Sequence, residues 1–270
     1  MTLSTFHTHA NFCHGESTAE EMVLKAIELG CPEIGFSCHA HMSVDNDWCM
    51  TTDSTESYKA QVIRLKKEYS DRIKIYLGVE QDYFSDVSPE GYDYVIGSVH
   101  FVLKKGVYIP LDISSEELKK AIADLYDGDA LALAEDYYKT VADVYNKTGC
   151  NVVGHFDLIT KFEEKESIFD TSSPRYRKAV LDAVDLLLKS PAVFEINTGA
   201  ISRGYRTTPY PEDFILDYIG ENNGTFIISP DTHSVDTLLF GMREVEDTLK
   251  SKGYRYFTSM EEILKNNLKN

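Results

Sequence analysis

Short apolar runs rich in Val, Ile, Phe and Tyr recur along the whole chain, and helix-like stretches separate them. The runs cover residues 3–6, 33–38, 73–79, 94–99, 150–154, 193–197 and 225–229, and they read as buried strands. Between the first two, Ser17-Thr18 precedes a helical pattern carrying Met22, Ile27 and Leu29, with Gly30 as its stop. Residues 55–69, 174–188 and 236–250 read similarly. Alternation of strand and helix predicts a parallel sheet, because parallel neighbours need a crossover between them. At 270 residues with about seven strands, a closed α/β barrel is favoured over an open sheet. The interval 101–149 is longer than the rest, and 114–126 and 131–147 both look helical, so a helical insertion is expected after strand four. No repeat, low-complexity tract or linker divides the chain, and 1–270 is expected to form a single domain.

The residues at the ends of these runs narrow the chemistry. The seven ends lead into His7, His39, Glu80, His100, His155, Thr198-Gly199 and Pro230-Asp231. In parallel β/α folds the C-terminal strand ends share one face, so residues remote in sequence should converge at one mouth. His7-Thr8-His9 places two imidazoles on the same side of an extended segment. Such a pair alone is a weak signal. It gains weight because Glu80, His100, His155 and Asp231 occupy equivalent ends, and because Asp231-Thr232-His233 repeats the alternate-residue geometry. Imidazole plus carboxylate suits Zn²⁺, Mn²⁺ or Fe²⁺ in hydrolytic sites. Glu80 has two oxygens and could bridge two ions. His14, His39 and His233 could hold a further ion. The competing reading, structural histidines and exposed loop groups, would require each buried ring to find its own hydrogen-bond partners.

Charge and cysteines bound the partners. Lys plus Arg is 27 and Asp plus Glu is 44, a net charge of −17. Such a surface repels phosphate backbones and anionic lipid, which argues against nucleic acid as a partner. A small phosphorylated substrate stays compatible if metals or a few arginines reverse the field locally. No apolar run approaches the roughly 18 residues of a membrane span, and the first residues have no signal-peptide character. Five cysteines form no C-x-x-C, which fits a reduced cytoplasmic chain.

The motifs together resemble the PHP (polymerase and histidinol phosphatase) family. They are F-H-T-H at 6–9, C-H-G at 13–15, S-C-H-A-H at 37–41, G-V-E at 78–80, G-S-V-H at 97–100, G-H-F-D at 154–157, E-I-N-T-G at 195–199 and P-D-T-H at 230–233. The resemblance implies a distorted (β/α)7 barrel with two or three divalent transition-metal ions (Zn, Mn, Fe or Co). Carried over by motif, one ion would take His7, His9, Glu80 and Asp231. A second would take Glu80, His100 and His155, and a third His14, His39 and His233. Pro230, where relatives often have Ser, is a departure that touches no ligand. Within the family the chain most resembles stand-alone histidinol-phosphate phosphatases, through 93–101, 155–162 and 195–206. That implies hydrolysis of L-histidinol phosphate to L-histidinol and phosphate in histidine biosynthesis, with a metal-bridged hydroxide attacking phosphorus in line. Asp231 would be a ligand and a base for the water.

Two arginines lie beyond the sixth strand, Arg203 and Arg206, and either could grip a phosphate bidentately. His41 is the one histidine without a metal slot, a candidate for phosphate contact or for protonating the leaving oxygen. Asp157, Asp82 and Lys161 read first as helix caps or groups behind the ligands, and Trp48 as packing. The rival readings are another PHP activity (a broad small-molecule phosphatase, a phosphotyrosine phosphatase or a nuclease) and a non-catalytic metal-binding protein. Acidity without a basic stripe weighs against the nuclease.

Overall fold

The computed structural model describes residues 3–44 and 47–267. Its strands are β1 (Glu33–Phe36), β2 (Lys74–Asp82), β3 (Tyr94–Ser98), β4 (Phe101–Lys104), β5 (Val107–Pro110), β6 (Val152–Val153), β7 (Val193–Asn197), β8 (Phe226–Ser229) and β9 (Tyr256–Phe257). Seven of them form one curled parallel sheet in the order β1-β2-β3-β6-β7-β8-β9. Helices cover its outer face with apolar stripes at helical spacing. Thr52–Glu68 buries Tyr58, Val62 and Leu65, and Pro174–Leu187 buries Tyr176, Val180, Val184 and Leu187. Each such side chain contributes roughly 1.5–3 kcal/mol of burial before entropy is counted.

The first apolar run, 3–6, does not form a strand ladder. It continues as an extended segment held by bridges on both sides, Thr5 to Ile34 and Thr8 to Thr232. Gly35 and Ser37 donate backbone hydrogen bonds to the carbonyls of Thr5 and Thr8 at 2.8 and 2.9 Å. On the other side His9 donates to the Thr232 carbonyl at 2.8 Å, and Thr232 donates to the His7 carbonyl at 3.1 Å. Residues 5–9 thereby join β1 to the chain beyond β8. The seventh strand is instead β9, which pairs with the first half of β8. Two segments share one edge at different heights, which is the distortion of the barrel. A two-residue strand carries no periodicity, so β9 leaves no signal in the sequence.

Three helical expectations shift. The insertion after β3 opens with an antiparallel hairpin, β4–β5, before its helices. Lys105 and Gly106 turn it with φ of 51° and 82°, as a two-residue hairpin turn requires. The pattern over 131–147 is two helices, Ala130–Ala142 and Val144–Thr148, broken at Asp143. The pattern over 236–250 starts its helix only at Met242, because Gly241 ahead of it adopts φ 68°. The helices that the sequence pattern does not announce include Asp213–Glu221 between β7 and β8, and Met260–Asn267.

Candidate metal centre

The C-terminal ends of the strands do converge. His7 and His9, alternate residues of the bridging segment, both aim Nε2 at Glu80 Oε2, at 3.2 and 3.3 Å. The same two nitrogens lie 3.6 and 3.4 Å from Asp231 Oδ1. Glu80, on β2, turns its other oxygen to a different pair: Oε1 is 2.9 Å from His155 Nε2 and 3.5 Å from His100 Nε2. One carboxylate thus stands between two imidazole pairs. A third group lies toward the mouth. His39 Nδ1 is 2.8 Å from Glu80 Oε2, and the His39 ring lies 4.4 Å from that of His9 and 5.0 Å from that of His14. The His233 ring lies 4.2 Å from His9 and 4.3 Å from His14. Sets that could hold an ion are His7, His9 and Glu80; His39, Glu80 and His100; and His9, His39 and His233, the donor atoms of each lying within 4.8 Å of one another.

The donors fit divalent ions for a reason visible in their bonding. Nε2 of His7, His9 and His233 and Oε2 of Glu80 are buried without a well-aligned hydrogen bond, and Glu80 Oε2 meets His7, His9 and His39 only through the charge contacts above. A buried polar atom left unpaired costs about 1–3 kcal/mol, so four together are unfavourable unless cations share them. Burial disfavours a charged His7, but Glu195, Asp231 and Glu80 outweigh it and push its pKa up to about 10. Burial likewise opposes charge on His100, and Asp82 and Glu80 raise it to about 9. His39 goes the other way, to about 3, because burial dominates and the neighbouring His9 adds repulsion. Burial disfavours ionised Glu80, yet His39 and His7 hold it well below the usual carboxylate range. Against the same burial, Arg203 and His7 hold Asp231 low. The cluster therefore offers ionised carboxylates and protons that divalent ions would displace.

Two carboxylates behind the rings set their orientation. Glu195 Oε1 lies 2.6 Å from His7 Nδ1, and its Oε2 accepts from the His155 backbone N–H and from Asn197 Nδ2, both at 2.9 Å. Asp82 Oδ2 lies 3.1 Å from His100 Nδ1 and accepts the His100 backbone N–H at 2.8 Å. Each bond on Nδ1 leaves Nε2 facing the centre. Asp82 thus stands behind the ligand candidate His100, in keeping with one of the two roles its place in the sequence suggests. Glu195 has no role from sequence, although it shares the inward face of β7 with Asn197, two residues on. Asp231 itself adopts φ 46°, a left-handed conformation that costs a non-glycine residue about 1–3 kcal/mol and tends to gather at functional sites.

A cavity of about 340 Å³ opens over the cluster, walled by Trp48, Asp112, Lys161, Arg203, Tyr205 and Tyr210. Arg203 lies at this mouth, in keeping with the sequence. It donates from Nη1 to the Asp231 carbonyl at 2.8 Å and from Nη2 to Asp231 Oδ2 at 3.1 Å. Gly199 permits this approach, since a Cβ there would stand 2.9 Å from both Arg203 Nη2 and Asp231 Cβ. Arg206 does not reach the cavity. Its guanidinium is buried and donates to the carbonyl and hydroxyl of Thr160 and to Thr208. His41 is also elsewhere: its Nδ1 faces the Met50 carbonyl at 3.1 Å, and it does not line the cavity. Trp48, expected in packing, packs beside Phe101 and also walls the cavity, as does Lys161, expected as a helix cap or a group behind the ligands. The Trp48 ring meets His39 edge-on at 4.5 Å, and Lys161 Nζ donates to the Asp112 carbonyl at 2.7 Å. Asp157 accepts from the Glu212 backbone N–H at 2.9 Å and touches no ligand candidate. A larger open groove of about 1110 Å³ lies between helices Ala130–Ala142 and Pro174–Leu187. It contains no histidine, and its Lys104, Arg175 and Lys178 are ion-paired.

Comparison with known proteins agrees with this architecture. The chain is 29% identical over 262 residues to a Schizosaccharomyces pombe protein named "Probable histidinol-phosphatase", covering 86% of this chain and 81% of that one. It is 26% identical over 251 residues to the histidinol-phosphatase of Bacillus subtilis, covering 84% and 92%. A crystal structure of a candidate histidinol phosphatase from Listeria monocytogenes superposes with TM-score 0.76 at 24% identity, over 89% of this chain and 99% of that one. The Lactococcus lactis histidinol phosphate phosphatase, crystallised with Zn, L-histidinol and phosphate, superposes with TM-score 0.72 at 20% identity, over 95% of both. These two structures share the fold. The PHP domain profile matches residues 5–199, a stretch that carries seven of the nine ligand candidates, and this chain belongs to the PHP domain family.

Proposed function

We propose that the chain hydrolyses the phosphomonoester L-histidinol phosphate to L-histidinol and phosphate, the phosphatase step of histidine biosynthesis. The carrying observation is Glu80, whose two oxygens face two imidazole pairs in a chain whose curated relatives are named histidinol-phosphatases over most of their length. We assign His7, His9, Glu80 and Asp231 to one ion, Glu80, His100 and His155 to a second, and His14, His39 and His233 to a third. Zn, Mn, Fe and Co all suit this donor set. Divalent ions held there supply positive charge for the phosphoryl oxygens and acidify a water molecule.

The chain's own groups divide the remaining work. Asp231 Oδ1 faces His7 and His9 and is the carboxylate placed to take the proton of the attacking water, while Arg203 and Asn197 hold its Oδ2. Arg203 is about a third exposed at the mouth, so its fork can meet phosphate as well as Asp231. Glu195 and Asp82 keep the rings in place through the reaction. Residues 1–270 act as a single phosphatase domain. Five cysteines without a disulfide fit a reducing compartment, and the cytoplasm is the proposed location. No helix of the described residues is long and apolar enough to cross a membrane.

The test is a substrate panel on Mn²⁺- or Zn²⁺-loaded protein: L-histidinol phosphate, a phosphotyrosine peptide and single-stranded DNA. Histidinol phosphate should lead in kcat/KM by roughly 10² or more, the discrimination a fitted polar pocket provides. Equal turnover of all three, or cleavage of DNA alone, would sink this assignment.

A further inference from the structure

Six tyrosines are fully buried: Tyr58, Tyr94, Tyr137, Tyr138, Tyr176 and Tyr210. Five of their hydroxyls are satisfied within the protein. Tyr58 donates to the Gly78 carbonyl at 2.7 Å, Tyr137 to that of Phe156 at 2.9 Å and Tyr94 to that of Phe36 at 3.0 Å, while Tyr138 and Tyr176 pair at 2.8 Å. The Tyr210 hydroxyl has no partner. It is also the one of the six that lines the cavity over the histidine–carboxylate cluster.

Its position is fixed from three sides. Tyr210 and Asn197 exchange backbone hydrogen bonds of 2.9 and 2.8 Å, which ties the residue to the end of β7. The Arg206 guanidinium covers one ring face at 4.6 Å, and His155 meets the ring edge at 6.4 Å. Arg206, which the cavity does not use directly, thus acts as the floor under this ring. Buried hydroxyls without partners are uncommon in folded proteins and call for an explanation. Here the neighbourhood supplies one, because the cavity is where an anion would sit and Arg203 stands at the same wall.

We propose that the Tyr210 hydroxyl donates a hydrogen bond to a phosphoryl oxygen of the substrate, forming with Arg203 an anion subsite beside the metal cluster. This rests on the phosphomonoester reading above. A phenol adds a donor without another positive charge, so it does not compete with the ions for Asp231. Its hydrogen bond to an ionised phosphoryl oxygen is of the charge-assisted kind.

Tyr210→Phe removes one atom and keeps the ring. The probe is inorganic phosphate on metal-loaded protein, read as a competitive inhibitor and as a shift in melting temperature. Phosphate should bind roughly 10- to 100-fold more weakly to the variant, with a smaller phosphate-induced shift and unchanged metal content. Without phosphate the melting temperature should stay the same or rise, since no bond within the protein is lost. Unchanged phosphate affinity overturns the proposal. So does a lowered melting temperature without phosphate, which would place the partner of the hydroxyl inside the protein. Failure of the activity reading looks different. Wild-type protein would bind phosphate yet leave histidinol phosphate intact, and the thermal comparison would still decide the role of Tyr210.

Discussion

The two ends of the barrel interior are built from the same strands and have opposite chemistry. At the N-terminal end Phe6, Tyr76, Tyr94, Ile96, Val152, Val193, Ile227 and Phe257 pack together, with Met260 and Ile263 of the last helix as a plug. At the other end stand His7, His9, Glu80, His100, His155, Glu195 and Asp231, equally buried and almost wholly polar. On β2 the change takes four residues along one face, from Tyr76 through Gly78 to Glu80. In the extended segment it takes one, from Phe6 to His7. The apolar end gains by removing surface from water. The polar end leaves buried atoms unpaired, a conformation that binding of cations would repay. On the proposed function, stability and function are separated by height along the barrel.

The sharpest way to break this comparison is at Glu80, the one side chain shared by two imidazole pairs. Glu80→Gln should lower kcat/KM on histidinol phosphate by on the order of 10³ or more, since several kcal/mol of charge stabilisation depend on the ions it holds. Elemental analysis should show metal lost with it. Undiminished turnover would remove the functional claim from the polar end altogether.

Arg203 comes next. Arg203→Ala should cost roughly 10² in kcat/KM, about 3 kcal/mol, with metal content retained. Arg203→Lys should recover part, because it restores the charge and not the fork. If the alanine variant keeps near wild-type kcat/KM with its metals in place, the phosphate grip lies elsewhere on the wall, and Lys161 is the next cation there.

Legibility in the sequence divides along the same line. His7, His9, Glu80, His100, His155 and Asp231 each lie just past an apolar run, so local pattern alone puts them at one mouth. Arg203 and Arg206 look alike in a loop, and only the fold separates them: one meets Asp231 and the other is spent on Thr160 and Thr208. Trp48 and Tyr210 reach the cavity through loop conformation, which periodicity does not encode. Glu195 is visible as part of a motif, but its bond to His7 spans 188 positions of chain. At the apolar end, β9 is too short for any pattern, and the plugging role of the last helix depends on contacts that sequence spacing does not show.

A smaller effect should appear in pH dependence after chelation. His7 and His100 hold their protons in the fold up to about pH 10 and 9, whereas a solvated imidazole releases its proton near 6.5. Between those values the folded state binds more protons than the unfolded one, so stability falls as pH rises. The contribution is complete below 6.5 and gone above about 10. Urea unfolding of chelated protein should lose at least about 1.4 kcal/mol between pH 6.5 and 9.5, the equivalent of one pKa unit. Metal-loaded protein should lose less, because the ions take the place of the protons. Identical curves with and without metal would mean that the polar end does not hold its ions through these rings.

The smallest effect tests whether the two ends are independent. Tyr94 stands among the apolar side chains, but its hydroxyl reaches the backbone carbonyls of Phe6 and Phe36. It fits because Gly35 and Gly78 have no side chains: a Cβ on Gly78 would come within 2.2 Å of the Tyr94 ring. The hydroxyl therefore ties the extended segment to β1 immediately before His7. Tyr94→Phe keeps the ring and strips a donor from buried carbonyls, so it should cost about 1 kcal/mol of unfolding free energy. If height along the barrel separates stability from function, kcat/KM and metal content should stay within about twofold of wild type, as for a change remote from the reacting groups. A tenfold loss of activity in a variant that melts almost normally would show that the Phe6 carbonyl positions His7. The apolar end would then belong to the metal centre as its foundation.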